Sequence, residues 1–377
     1  MLTVRRLALV GALAGSLFSP LVLAQTISGP TVADAGANLF KPSAGPLDPA
    51  NRLRLSVPAD QRPPILREAL VEVLVDVDAS GKVDDVDVID GSFLDSAVRR
   101  LVETSVKQMT FNPATQGGNA VAFKDLHLQV LLRGANPPGV TDAMRQELVE
   151  LAAKIEADDF KGAERQINNL LERDAARLFE MAVLQDQLVS IYMETERLPE
   201  ALLASRIATQ RSPAVRPEGE APPEASFPDT FLSPELHVEA LRKRLMLALV
   251  NNQVGEALQV FEELQSAAAA TGKSDSIANL SEQIQRVKEL LASEEPVGSA
   301  VYLINGEWSY TMSPRRIFGV TGLEGQVDAI DVSCGDALRR LPFQNDSEWR
   351  IPDSWGQCDL IFRGKKGSKF LLYEYLN

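Results

Sequence analysis

Val71, Val73, Val75 and Val77 alternate with Glu72, Asp76 and Asp78, and only Leu74 interrupts the polar side. A period of two is what a strand shows when one face packs and the other is wet. Ala79-Ser80-Gly81-Lys82 supplies turn chemistry, and Val86 and Val88 then alternate with Asp85 and Asp87, so the two runs predict a hairpin. Leu94, Val98, Leu101, Val102, Ser105 and Met109 recur at three and four, which predicts one face of a helix from Phe93 to Gln108, stopped by Asn112-Pro113. After Gly117-Gly118, Leu126, Leu128, Val130 and Leu132 alternate with His127 and Gln129, a third strand ending at Arg133-Gly134.

The order strand, strand, helix, strand carries local signatures with it. Pro63-Pro64 precedes the valine-rich strand, Gly81 and Val83 sit in the turn Asp78-Ala79-Ser80-Gly81-Lys82-Val83, and Phe111-Asn112-Pro113-Ala114 and Gly117-Gly118 follow the helix. In this order the stretch 58–133 resembles the TonB C-terminal domain family, which pairs a Pro-rich start, a strand, a D-x-x-G-x-V turn, a helix and an F-x-P-A corner. The resemblance implies a small α+β domain whose closing strand is a sheet edge that pairs with a short segment of an outer-membrane transporter. Carried onto this chain, the partner-binding edge is Ala122, Phe123, Lys124, Asp125, Leu126, His127, Leu128, Gln129, Val130 and Leu131, with Lys124, His127 and Gln129 pointing outward. An exposed edge offers unpaired N–H and C=O groups that an extended peptide can satisfy by adding a strand. The same edge can instead be blocked by the next domain or by self-pairing. Proton-driven members of the family carry a His in an uncleaved N-terminal helix and a long Pro-rich spacer; here the N-terminal apolar run has Ser16 and Ser19 but no His.

Residues 141–295 read as helices almost throughout, as in Leu148, Leu151, Ala152 and Ile155 followed by Phe160, Ala163, Ile167 and Leu170. Two units, one from Ala182 with Leu188, Val189, Tyr192, Ala201, Ala208 and Pro213, the other from Val238 with Leu241, Leu245, Ala248, Ala257 and Phe261, resemble the tetratricopeptide pattern. Ser205 stands where an aromatic is usual. A Pro-rich insertion at 211–234 interrupts the array and reads as a loop. Such arrays offer a concave surface to a partner segment, or merely space two end domains. The last part, 297–377, reads as short strands, Ala300 to Ile304, Gln326 to Ser333, Gln357 to Phe362 and Phe370 to Tyr375, and holds all three tryptophans, Trp308, Trp349 and Trp355. Their density favours a compact core over a recognition surface.

The whole is therefore expected to be a multidomain α+β protein: 1–24 a signal peptide, 25–57 a flexible linker, 58–135 the TonB-like domain, 141–295 the helical domain and 297–377 a small β domain. Arg5 and Arg6 before the apolar run Leu7 to Leu23 predict export, with cleavage between Ala24 and Gln25 and a periplasmic mature protein. The alternative is an uncleaved inner-membrane anchor facing the periplasm. In that compartment Cys334 and Cys358, the whole cysteine complement, are expected to form a disulfide. Closing a loop of roughly 25 residues would contribute about 3.5 kcal/mol in the chain-entropy picture.

Charge narrows the partners. The net charge of −14 sits mostly in 141–295, and no basic stripe exists to hold a phosphate backbone or an anionic lipid surface, so no nucleic acid is expected. If a partner lies on the helical middle, that charge favours a basic one. Asp76-x-Asp78-x-Ser80-Gly81 with Asp84 and Asp87 copies a calcium loop, but its strand flanks and a final Asp favour a polar hairpin. His127 and His237 are the only histidines and belong to no metal motif, and neither a phosphate loop nor a nucleophile elbow occurs. The expectation is a non-enzymatic envelope protein without cofactor or metal. It binds envelope proteins, with an outer-membrane transporter segment as the partner the resemblance implies. A tetratricopeptide-like assembly scaffold is the alternative; an inner-membrane-anchored TonB-type energy transducer and a periplasmic hydrolase working through a pair of carboxylates are further readings.

Overall fold

A computed structural model describes residues 54–55, 68–91, 96–111, 113–116, 119–132, 139–173, 177–211, 230–334, 337–352 and 355–376. The cleavage site Ala24 and Gln25, Pro63, Pro64, Gly117 and most of the Pro-rich insertion lie outside them. Within them the protein is mixed α+β, with eight α-helices, several antiparallel sheets and a disulfide in the C-terminal region.

The first folded unit follows the periods of its sequence. Strands β2 (Ala69–Val77) and β3 (Val83–Gly91) pair antiparallel, with Val75 opposite Val86 and Val77 opposite Val83. Asp78 ties the turn: its Oδ1 accepts from the Ser80 N–H at 2.7 Å, the Ser80 hydroxyl at 2.7 Å and the Lys82 N–H at 3.0 Å. The Ser80 hydroxyl foremost, then the Lys82 amide, hold the carboxyl below its usual range. The calcium-like spacing is thus a hairpin whose central carboxylate is engaged by its own turn. Gly81 has φ +88°, and a Cβ there would lie 1.9 Å from the Phe111 carbonyl, so the turn and the Phe111 corner approach too closely for any side chain. Helix α1 (Ser96–Lys107) covers the sheet with Val98, Val102 and Val106, which pack on Val71, Val73, Val75 and Leu126. A short hairpin, β4 (Ala114–Gln116) with β5 (Asn119–Val121), leads into β6 (Phe123–Leu132).

The helical region consists of α2 (Asp142–Glu156), α3 (Phe160–Arg173), α4 (Leu178–Glu194), α5 (Leu198–Ala208), α6 (Pro234–Val250), α7 (Val254–Ala270) and α8 (Ala278–Ala292). Both expected helical pairs appear, with α5 beginning at the Arg197-Leu198-Pro199 turn and α7 at Gln253-Val254-Gly255. Ala201 and Ala257 are fully buried where the paired helices meet. Pro234, counted with the insertion from sequence, is instead the first residue of α6. A ring fits there because a first-turn N–H has no helical partner, and Ser233 caps the end by accepting from the Leu236 N–H at 3.5 Å.

The C-terminal strands are β7 (Val297–Tyr302), β8 (Glu307–Thr311), β9 (Ile317–Glu324), β10 (Val327–Cys334), β11 (Ala337–Pro342), β12 (Ser347–Arg350), β13 (Cys358–Gly364) and β14 (Lys369–Tyr375). Four of them, β8, β9, β11 and β12, were not among the expected strands. Cys334 and Cys358 are bonded across the β10–β13 pair, and Trp308, Trp349 and Trp355 are buried.

Packing does not stop at the expected boundaries. One eight-stranded sheet runs β3-β2-β6-β11-β10-β13-β8, with β1 (Arg54–Leu55) beside β6, so strands of the first unit and the last share a sheet. Two residues of the expected linker are therefore a strand. A second sheet runs β12-β9-β14-β7. One buried cluster continues from Met144 and Leu151 on the helices to Phe362 and Leu372 on the sheets. Gly255 marks the contact: a Cβ there would lie 2.2 Å from the Thr311 carbonyl, so only glycine lets the start of α7 rest on the end of β8. Arg315, almost fully buried, donates to the carbonyls of Leu290, Leu291, Ser293 and Glu295, closing the end of α8.

Candidate functional site

The strand expected as a docking edge is β6, and its pairing is fixed by the valine ladder of β2, with Val71 opposite Val130 and Val75 opposite Leu126. Leu126 and Val130 face the core, while Lys124 and Gln129 are exposed. Lys124 lies 4.0 Å from Asp76, and Gln129 donates to Glu72 at 3.2 Å. Ala122 precedes the strand, and the side chains of Asp125 and His127 lie outside the described residues. Of the corner residues, Phe111 is buried and donates its N–H to the Gly81 carbonyl at 2.7 Å; Val83 and Pro113 are half-buried and Ala114 opens β4.

The outer side of β6 is not the rim of the sheet. Leu126 pairs antiparallel with Ala337 of β11, and Leu131 and Leu132 pair parallel with Arg54 and Leu55 of β1. The expectation of an outermost strand is corrected by these pairs: unpaired backbone groups beside an apolar strand recruit another strand, and here the same chain supplies two. The end of the sheet is β3, which presents Asp84, Asp85 and Asp87 to solvent. The first unit also docks on the helices, because Leu70 packs with Leu178, Met181 and Phe231 and Glu68 accepts from the Leu178 N–H at 2.9 Å.

A different surface stays open. A groove of about 860 Å³ lies between α3, α4 and α5 on one side and the β7–β8 and β13–β14 turns on the other. Its floor is apolar, made of Leu188, Leu203, Ala204, Ile207, Leu303 and Ile304. The helical wall is locked by Arg197, whose Nη1 donates to both Glu164 oxygens at 2.9 and 3.0 Å, whose Nε donates to Glu200 at 3.2 Å, and whose guanidinium sits 4.3 Å from the Tyr192 ring centre. Tyr192 donates its hydroxyl to Glu164 at 3.1 Å, and burial, reinforced by that carboxylate, pushes its pKa up to about 12. The opposite wall is laced by its backbone: the Leu303 N–H donates to Ser368 at 2.9 Å and the Gly367 N–H to Leu303 at 2.8 Å. Both walls are therefore held before anything enters.

The groove's free polar groups sit on its rim. The side chains of Asn168, Gln185 and Asn305 make no hydrogen bond among the described residues, and Tyr302 is 41% exposed. Behind the helical wall lies a buried ion triad. Glu256 accepts from Arg206 at 2.5 Å and from Arg244 at 2.8 Å, and Arg206 also lies over Trp308 at 5.1 Å. Burial alone would raise the Glu256 carboxyl, but the two guanidiniums hold it at about 2. The triad joins α5, α6, α7 and β8.

From sequence, Leu188 and Tyr192 stand out only as tetratricopeptide positions and the C-terminal aromatics as core, and nothing local joins them to the other residues of the groove. One local signal was present, the basic pair Lys365-Lys366 in an acidic chain. No family model, no curated protein and no solved structure matches the chain. Among the described residues no helix is long and apolar enough to cross a membrane, and no group of three or more His, Cys, Asp or Glu is placed to hold a metal ion.

Proposed function

We propose that the chain is a non-catalytic scaffold of the cell envelope that holds partner proteins through its helical middle. In this reading the first unit is a TonB-like domain kept as a packed wall, 141–295 is tetratricopeptide-like, and export is read from the N-terminal run, with the Cys334–Cys358 bridge in keeping with it. The observation that carries the proposal is a contrast in one molecule: the outer side of β6 is paired with β11 and β1, while a groove with fixed walls is open. A cleft of roughly 300 to 1,000 Å³ with an apolar floor and a few polar groups at its edge is the common form of a binding site.

The test is photo-crosslinking in cells that make the protein, with a photoreactive phenylalanine analogue in place of Tyr302 or of Gln129. Protein adducts from position 302 and none from 129 support the scaffold. Adducts from 129 alone would return the role to strand addition at β6, and adducts from neither would remove partner binding from both surfaces.

A further inference from the structure

We infer that the groove takes an extended polypeptide segment with an apolar anchor, lying so that an acidic side chain meets the Lys365-Lys366 turn. This rests on the scaffold reading and says what its occupant looks like. Three features of the groove argue for a peptide. Asn168, Gln185 and Asn305 are free primary amides, each with donors and an acceptor, which matches the alternating N–H and C=O of an extended main chain. The floor of Leu188, Leu203, Ile207 and Ile304 matches an aliphatic or aromatic side chain, whereas a sugar would set hydroxyls against it and leave them unpaired. Tyr302, exposed on the lip with no hydrogen bond to its hydroxyl among the described residues, offers a rigid face to cover that anchor.

Charge sets the direction. Lys366 lines the groove on the β13–β14 side and Lys365 precedes it, both exposed and neither in an ion pair among the described residues. Glu196 lines the helical side and is likewise unpaired. Arg197, although a lining residue, is already bound to Glu164 and Glu200 and offers no free charge. The long-range field of a chain with net charge −14 opposes an acidic ligand, but it fades beyond about 8 Å at physiological salt, inside which the two lysines dominate. The opposite charges of the two walls therefore fix which way the segment runs.

The experiment selects binders from a random displayed peptide library on the full-length protein, then measures the resynthesised peptides by titration. The expected binders share one large apolar residue and a nearby Asp or Glu. Tyr302→Ala and Lys366→Glu, both surface changes, should each weaken them about tenfold, and a selection repeated on Lys366→Glu should lose the acidic preference. Failure to enrich any peptide, binders indifferent to both substitutions, or binders without an acidic residue would overturn the inference. The two readings fail separately: if no peptide is enriched but position 302 still gives protein adducts, the partner is a folded surface and the scaffold stands. If both experiments are blank, both readings fall.

Discussion

The outer side of β6 and the groove beside α4 and α5 could each hold an extended segment, yet only the first is occupied by the protein itself. The difference lies in which groups are left over. At a strand edge they are backbone N–H and C=O groups in fixed directions beside an apolar strand, and leaving them unmet near a forming core costs free energy. Any strand that reaches them will pair, and here β11 and β1 do. Around the groove the free groups are the tips of Asn168, Gln185 and Asn305, which water satisfies at little cost. An edge thus tends to close on its own chain, whereas a groove built from side chains can stay open in a folded protein.

If the groove depends on a wall fixed from behind, the largest effect should come from the ion triad. Glu256→Gln would leave Arg206 and Arg244 facing one another in the interior without their carboxylate. Breaking such a pair costs about 3 to 5 kcal/mol. Urea unfolding should show that loss, and hydrogen exchange should show α5 loosening while the β2–β3 hairpin keeps its protection. A loss under about 1 kcal/mol would mean the wall is held by apolar contacts alone.

The strand that leads away from the opposite wall carries a pH-linked carboxylate at its far end. Glu374 on β14 is fully buried, accepts from the Ser313 N–H at 3.0 Å, and has Tyr310 and Arg315 beside it; burial foremost lifts its carboxyl from 4.5 to about 7. Its pKa is higher folded than unfolded, so the fold favours the protonated form. The contribution is complete below about pH 4.5 and is lost as pH rises through about 7, amounting to about 3 kcal/mol. Denaturant midpoints across that range should fall with rising pH in the native protein and fall less in Glu374→Gln. An equal slope in both would assign the dependence to other groups.

Much of the first unit was legible because its residues obey one period each: valines every second position gave β2, and Val98, Val102 and Val106 at intervals of four gave α1. The helical pairs were legible for the same reason. Strands β8 and β12 were not, since five and four residues are too short to display a period, and β8 buries Trp308, Tyr310 and Thr311 on both faces. Nothing local marks Ala337 as the neighbour of Leu126, because the pair joins strands from distant parts of the chain. The groove escaped for a related reason: Asn168, Tyr192, Tyr302 and Lys366 belong to four segments that only folding brings together. Its one readable trace, the lysine pair, has no meaning until the apolar floor beside it is known.

The closed edge itself is the smallest and most direct test. Ala337 pairs with Leu126 on one side and with Cys334 on the other; β11 pairs with β10 along six positions but meets β6 at this one, and the disulfide ties β10 to β13 beside it. Ala337→Pro puts a ring without an N–H into a strand with neighbours on both sides and should cost about 1 kcal/mol or more, the worth of at least one ladder bond. Hydrogen exchange should then quicken around Leu126 while the β2–β3 hairpin is unchanged, and a peptide copying residues 337–342 should slow it again. If the amides beside Leu126 exchange just as slowly in the variant, the contact with Ala337 is not what protects this part of β6. If they already exchange freely in the native protein, the edge was never closed, and β6 returns as a rival to the groove.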